Sequence, residues 1–433
     1  MLFRSTVPDN TKFDNNEKFT KTWRVRNSGS VAWPKNTVLT FVSGKQMAST
    51  SEVKVGSVEP GDEVDTSVDL VAPNENGTFQ AEWALSTEGS LIPNSNLWVV
   101  IVAGEETAAA TPAPAVAPVA GGSFELGGHI LNGFAYADKM HYAGMNWAKV
   151  QVRYPSSSAS GIIAAAHASG FKIQISALGA ADMVTKGGFN ETFASWVAGI
   201  AAAGADAIEI WNEPNLPREW QSGQISPQSY TQLLCASYSA IKAANSSVAV
   251  ISAAPAPTGY FGGCFGTGCD DVPWLQGMYN AGATNCMDYI GAHHNSGATA
   301  PSATSGHPAD PGSTHHSWFF LPQTQIYYNT FGGARKLFYT ELGYVSPEGY
   351  GWIPGTFSWG ANTTVAQQAQ WLAEVVSLSS QTGMVRAVIV WNVDATCYGE
   401  CGGVQDPQAG YAIIRPGGGC PACESLHALL GSR

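Results

Sequence analysis

The sequence predicts two folded units, an all-β sandwich followed by an eight-stranded parallel β/α barrel. Three observations predict it. Up to residue 103 the apolar residues alternate in short runs broken by turn signals. Residues 104–121 are dominated by Ala, Pro and Thr and carry no periodicity. Beyond them, short branched apolar runs alternate with helix-period stretches eight times over. A chain of 433 residues is too long for one small core and fits this division.

In residues 1–103 the alternating runs are Phe19 to Val25, Val38 to Val42, Val64 to Val71, Thr78 to Leu85 and Leu97 to Val102. Asn27-Ser28-Gly29, Glu59-Pro60-Gly61 and Asn76-Gly77 supply the turns. Strands at this spacing form a sandwich, and with no cysteine its core bulk must come from tryptophan. The pattern Phe19-x-Lys21-x-Trp23-x-Val25-x-Asn27-x-Gly29-x-x-x-Trp33, then Gly77-Thr78-Phe79, Trp83 and Trp98, resembles the four-tryptophan Ig-like domain of autophagy cargo receptors. That domain also occurs fused to bacterial extracellular proteins. The resemblance covers most of residues 12–102 and implies a protein-binding module, without naming what this copy binds. Trp23, Trp33, Trp83 and Trp98 are expected in the core rather than on a ligand platform. Residues 104–121 are expected to act as an extended spacer, because proline stiffens a chain and alanine cannot anchor it.

From residue 122 to 433 the pattern is βα. The expected strands are Gly128 to Gly133, Ala148 to Tyr154, Phe171 to Leu178, Asp206 to Asn212, Val248 to Ala254, Asp288 to His294, Leu337 to Leu342 and Ala387 to Asn392. Their helices are Ala137 to Gly144, Gly161 to Ser169, Thr192 to Ala203, Pro227 to Ala244, Val272 to Ala281, Ser317 to Tyr328, Thr364 to Ser379 and Cys423 to Leu430. Eight such units make a TIM barrel. A doubly wound open sheet needs a Gly-rich phosphate turn after its first strand, whereas Gly127-Gly128 is expected to precede it.

Composition narrows the partners. Net charge is −12 and no Lys/Arg run occurs, which argues against nucleic acid and anionic membranes. No segment reaches the ~18 unbroken apolar residues of a membrane span. Fourteen tryptophans among few charges suit stacking on the flat apolar faces of sugars, although much of that tryptophan could be core. All eight cysteines lie at or after Cys235. An even count in Gly- and Pro-rich loops favours disulfides, and hence a secreted or cell-surface protein. Cys397-x3-Cys401 followed by Cys420-x2-Cys423 approximates a four-thiolate zinc knot. Disulfides are preferred, with these four cross-paired to staple the closing loop. Met1 to Asn10 lacks the apolar run of a signal peptide, so any targeting segment is expected to be removed or outside this sequence.

In a barrel, chemistry belongs at the C-terminal strand tips. The tips present Arg153, Glu213, His293/His294, Glu341 and Trp391-Asn392. Two carboxylates far apart in sequence, Glu213 and Glu341, are thus expected at one mouth, as glycoside cleavage by double displacement requires. The constellation resembles the large clan of retaining glycoside hydrolases that carry acid/base and nucleophile on strands four and seven. Its most specific piece is Trp211-Asn212-Glu213-Pro214. The resemblance implies Glu213 as acid/base, Asn212 as partner of the sugar 2-hydroxyl and Glu341 as nucleophile. It also implies Arg153 as the cation on that nucleophile, His293 at the usual strand-six position, and Trp391 as floor of the cleavage subsite. A guanidinium there would keep Glu341 ionised, while drier surroundings keep Glu213 protonated. The tyrosine usual two residues after that histidine is absent. Asn295 stands there, so the group that orients the nucleophile is unassigned. No cofactor is implied.

Each assignment has a plainer rival. Pro214 restricts Glu213 to extended geometry, and a strand end with a solvated Glu explains the proline but not its Trp-Asn neighbours. Arg153 could be a structural ion-pair partner. His293 and His294 could be wall residues, or with His315/His316 a metal site, but adjacent histidines point apart and no acidic residue has ligand spacing. Glu209 lies mid-strand and suits a structural role. Asp394 and Glu348 are the rivals to Glu341. Trp220, Trp274, Trp318, Trp352 and Trp359 lie in or near loops over the mouth, as stacking platforms or as packing. At the level of the whole protein, the alternatives are a non-catalytic carbohydrate-binding or adhesion protein on a decayed barrel, and a metal-dependent hydrolase.

Overall fold

The computed structural model describes residues 2–7, 11–92, 95, 97–104, 124–156 and 159–430. The chain divides into two compact units, Met1–Ala115 and Val116–Arg433. Of the expected spacer, only Gly104 lies among the described residues.

The first unit is a sandwich of two sheets. One holds Leu2–Ser5, Lys18–Arg26 and Glu63–Val71. The other runs Thr11–Phe13, Leu97–Ala103, Gly77–Thr87, Val38–Gly44, Glu52–Lys54, with Ser90–Leu91 on the central strand. Period-two alternation sends Phe19, Lys21, Trp23 and Val25 inward and their neighbours out. Trp23, Trp33 and Trp83 are buried. Trp98, expected inside, is 44% exposed. Its neighbours Leu97 and Val99 take the inward face, so the indole falls on the other side. The backbone carbonyl of Trp98 still serves the core by accepting from the Trp23 indole at 3.1 Å.

The second unit is the barrel. Its strands are β1 (Glu125–His129), β2 (Trp147–Arg153), β3 (Lys172–Leu178), β4 (Ala207–Ile210), β5 (Ala249–Ser252), β6 (Ile290–His294), β7 (Leu337–Leu342) and β8 (Val385–Val390). The helices are α1 (Ala137–Tyr142), α2 (Ala159–Ala168), α3 (Phe189–Ala202), α4 (Pro227–Ala244), α5 (Asp271–Asn280), α6 (Phe320–Thr330), α7 (Val365–Thr382) and α8 (Pro421–Leu430). All strand pairs are parallel, in the order β5-β4-β3-β2-β1-β8-β7-β6. The ring closes where Ile251 bridges Tyr289 and the Ser252 N–H donates to the Tyr289 carbonyl at 3.1 Å.

One strand is displaced from its expected place. β1 begins at Glu125, so Gly127 and Gly128 are inside it rather than before it. The reason is close approach: a Cβ on Gly127 would sit 2.5 Å from the Trp147 Cβ, and one on Gly128 2.3 Å from a Val393 methyl. This shift brings His129 to the strand tip.

The barrel interior is layered. Its floor is an apolar plug of Trp147, Ala207, Ile251, Phe338, Ala387 and Ile389. Above it lies a buried polar layer containing Lys149, Gln174, Ser176, Glu209 and Thr340. On β7 the register slips against both neighbours between Tyr339 and Leu342. Through this bulge Thr340 and Glu341, consecutive residues, both meet interior partners.

The cysteines form four disulfides, Cys235–Cys286, Cys264–Cys269, Cys397–Cys401 and Cys420–Cys423. Cross-pairing of the last four is therefore corrected. Each closes a local loop instead, one on a tight hairpin and one on the first turn of α8. No zinc knot forms, and no acidic, His or Cys group suited to a metal occurs among the described residues. Nor is any described helix long and apolar enough to cross a membrane.

The closing seam has little slack. A Cβ on Gly291 of β6 would lie 2.1 Å from the Ser252 carbonyl oxygen and 2.8 Å from the Ala254 nitrogen, both backbone atoms. Gly291→Ala is expected to lose ~1–3 kcal/mol, as overpacked cores do, read from the urea unfolding midpoint. An unchanged midpoint would mean that the seam gives way freely.

Candidate active site

β4 ends at Ile210, and the chain then turns sharply. Trp211 and Glu213 adopt φ values of +78° and +41°, left-handed backbone that costs ~1–3 kcal/mol for a residue with a Cβ. Glu213 is thus not extended before Pro214, as the proline suggested. Surrounding contacts hold the turn. The Trp211 N–H donates to the Ala177 carbonyl at 2.8 Å and its indole to the Glu219 carbonyl at 2.8 Å. The ring is fully buried against Phe193 and Trp220. The Glu213 N–H donates to the Ala254 carbonyl just past the C-terminal end of β5. Trp211 therefore anchors the turn from the helix layer and leaves Asn212 and Glu213 facing the mouth.

Glu213 and Glu341 meet across one imidazole. His293 Nδ1 lies 3.0 Å from Glu213 Oε1 and 3.9 Å from Glu341 Oε2, so both carboxylates are reached by a single nitrogen. Both glutamates and the histidine are buried. The second Glu213 oxygen accepts from the Arg218 guanidinium. On Glu341, Lys149 Nζ donates to Oε1 at 3.0 Å and Asn295 Nδ2 to Oε2 at 3.2 Å. Lys149 also donates to the Thr340 carbonyl at 3.0 Å and lies 3.6 Å from Glu209.

The charges follow from these contacts. Burial pushes the Glu213 carboxyl up, but the His293 hydrogen bond and charge, then Arg218, outweigh it and hold it at about 2. Burial likewise pushes Glu341 up, and Lys149, His293 and His129 bring it below its ordinary value. For His293 burial acts downward, while Glu341 and Glu213 raise it. His129, buried and beside the Lys149 charge, falls to about 3 and is neutral. The site thus holds two carboxylates around a proton that belongs to His293. The expectation that dryness keeps Glu213 protonated is corrected: nearby positive charge exceeds desolvation.

Other expected residues fall elsewhere. Arg153 does not reach Glu341; its guanidinium donates to the Gly179 carbonyl at 3.4 Å. Lys149, four residues earlier on the same face of β2, takes the cation's place. Asn295 occupies the position left unassigned, and it is held by the Tyr411 hydroxyl, which donates to its carbonyl at 2.6 Å. Trp391, half-buried at the tip of β8, meets His129 edge to face at 4.7 Å. Glu209 is spent on structure, accepting from Thr340, Gln174 and Ser176. Asp394 accepts the Leu131 and Asn132 N–H groups, and Glu348 that of Val365. Trp220 and Trp274 are buried packing, whereas Trp352 is 49% exposed. His316 pairs with Asp271, and His294 with Gln323, away from the two carboxylates. Asn212 Oδ1, His129 Nδ1, His293 Nε2 and Asn295 Oδ1 are buried without a hydrogen-bond partner among the described residues. Asn295 was named without a role, while Lys149, Arg218 and His129 were missed. For these three, only the i, i+4 spacing of Lys149 below Arg153 on one strand was a signal.

Lys149 is fully buried with carboxylates on two sides. Lys149→Met leaves both without their shared cation and is expected to cost ~3–5 kcal/mol in urea unfolding. A cost within ~0.5 kcal/mol would mean that the polar layer does not depend on it.

Residues 6–103 match the family model described as the Ig-like domain from next to BRCA1 gene. Protein ILRUN of Danio rerio is 35% identical over 83 residues, 19% of this chain and 29% of that protein. The next to BRCA1 gene 1 protein of Homo sapiens is 32% identical over 99 residues, 22% of this chain and 10% of that protein. The match thus spans less than a third of either relative. Among solved structures, the chain is similar to a glucosidase from Croceicoccus marinus, at 10% identity and TM-score 0.48, over 70% of this chain and 66% of that one. It is also similar to the GH53 catalytic domain of Ignisphaera aggregans, at 14% identity and TM-score 0.47, over 72% and 91%. A third is a Bacteroides ovatus GH5 xyloglucanase, at 10% identity and TM-score 0.44, over 99% and 100%.

Proposed function

We propose that the barrel is a retaining glycoside hydrolase that cleaves β-glycosidic bonds of a polysaccharide or oligosaccharide, with Glu213 as acid/base and Glu341 as nucleophile. The observation that carries this reading is the pair of buried carboxylates sharing one imidazole nitrogen. Two carboxylates that both reach one nitrogen are compatible with the ~5–5.5 Å separation of double displacement. The unpartnered polar atoms of Asn212, His129, His293 and Asn295 support a ligand rich in hydroxyls.

The chemistry divides in two. Glu341, ionised by Lys149, attacks the anomeric carbon as its bond to the leaving oxygen breaks, and that oxygen takes a proton from Glu213. The proton reaches Glu213 from His293 across their 3.0 Å hydrogen bond. Water then gives a proton to Glu213 and attacks the same carbon, releasing Glu341. Asn212 serves the 2-hydroxyl, Trp391 floors the subsite, and Arg153 lines the mouth further out.

Glu341→Gln is expected to abolish sugar release, and Glu213→Gln to lower kcat by ~10²–10⁴ on unactivated substrates. A polysaccharide panel finds the substrate, and proton NMR of the first-formed product should show the β-anomer. Full turnover in both variants, or an initial α-anomer, would overturn the reading.

The sandwich holds no comparable chemistry and serves as an attachment module for a cell wall, a polymer or a partner protein. Its exposed Trp98 and Val31 are large apolar groups left at the surface. Deleting residues 1–103 is expected to lower binding to insoluble substrate in pull-down assays while leaving turnover of soluble fragments unchanged. Undiminished binding excludes the polymer role.

A further inference from the structure

Arg218 contacts the acid/base and yet belongs to no strand. It lies in the loop between β4 and α4, with its side chain 66% exposed. Its Nη2 donates to Glu213 Oε2, while His293 takes Oε1. Both oxygens of the carboxylate are therefore engaged by donors, and neither is free to present a proton to a leaving group. A second carboxylate lies beside the first. Glu219 Oε1 is 3.8 Å from Arg218 Nε and accepts from Asn212 Nδ2 at 3.3 Å. The guanidinium is thus held between two carboxylates, one that would react and one that would not. Tyr260, 73% exposed on the loop after β5, lies within reach of the charges of Arg218 and Glu213.

We propose that Arg218 is a positioning residue that clamps Glu213 through its hydrogen bond to Oε2 and transfers to Glu219 when the leaving-group half of the substrate enters. The proposal rests on the glycosidase reading and assigns that reaction its step of readiness. An exposed guanidinium moves at little cost, because water surrounds most of it in either position. Glu219 is prepared to receive it. Burial first, then the Glu213 charge, push its carboxyl above the ordinary value, while Arg218, already 3.8 Å away, acts against both. The titratable groups around Glu213 are His293 from β6, Glu341 from β7, Arg218 and Glu219 from the β4 loop, and Tyr260 from the loop after β5. Among the charged ones, only the guanidinium is mostly solvent-exposed.

The sign of the test follows. The active free enzyme carries a proton on the Glu213–His293 pair, and losing it produces the basic limb of kcat/KM. Arg218→Gln removes a cation from that pair and is expected to move this limb to higher pH by ~1–3 pH units. The kcat limb stays in place, since the clamp is already open in the complex. Glu219→Gln removes the landing site, and its kcat limb is expected to move to lower pH. Arg218→Lys keeps the charge and the wild-type limb. Carbon NMR of the Glu213 carboxyl, assigned with Glu213→Gln, reads the same upward change without substrate. A kcat/KM limb and an NMR titration both unmoved in Arg218→Gln, or a kcat limb unmoved in Glu219→Gln, overturn the clamp. Failure of the wild type on every glycoside overturns the enzymatic reading instead.

Discussion

One buried ammonium organises the barrel's interior. Lys149 has no exposed surface, and its three oxygen neighbours come from β4 and β7. Taking a lone cation out of water is prohibitive, and so is burying Glu209 and Glu341 without one. Each needs the others, which fixes the relative height of three strands. The consequences spread outward: Lys149 keeps Glu341 ionised and helps keep His129 neutral. Beneath it the apolar plug excludes water from the other end of the barrel.

A second constraint works from outside the ring. Trp211 and Glu213 hold left-handed backbone that no local preference favours. The turn persists because the Trp211 ring is packed against α3 and the following loop, a burial that is worth ~3–5 kcal/mol by truncation. Energy gained in the helix layer is stored as geometry at the strand tip.

Much of this was legible in the sequence. The alternation of runs gave the barrel and the sandwich, and the strand-tip rule picked Glu213, Glu341 and His293 from many polar residues. What escaped was set by contacts between distant strands. Arg153 stands at a tip and Lys149 below it, and only the depth of the interior shows that the ammonium is the one that reaches Glu341. Gly127 and Gly128 looked like a turn because glycine has the same signature in a turn and where two chains touch. Trp98 followed its family pattern but lies on the outer face of an alternating strand. The charge of Glu213 depends on His293 and then on Arg218, and no spacing rule connects Arg218 to it. Local pairing of Cys397 with Cys401 and Cys420 with Cys423 depends on turn geometry, to which spacing alone is blind.

The bulge on β7 has one further consequence. With regular pleating, two adjacent residues cannot point the same way, so either Thr340 or Glu341 would face the helices. The extra residue removes that choice and lets the support for Glu209 and the partner of Lys149 sit side by side in the chain. Insertion or loss of one residue in this strand would rotate an acid into the oily layer behind it. Length is therefore the strand's least negotiable property, more so than the identity of the side chains along it.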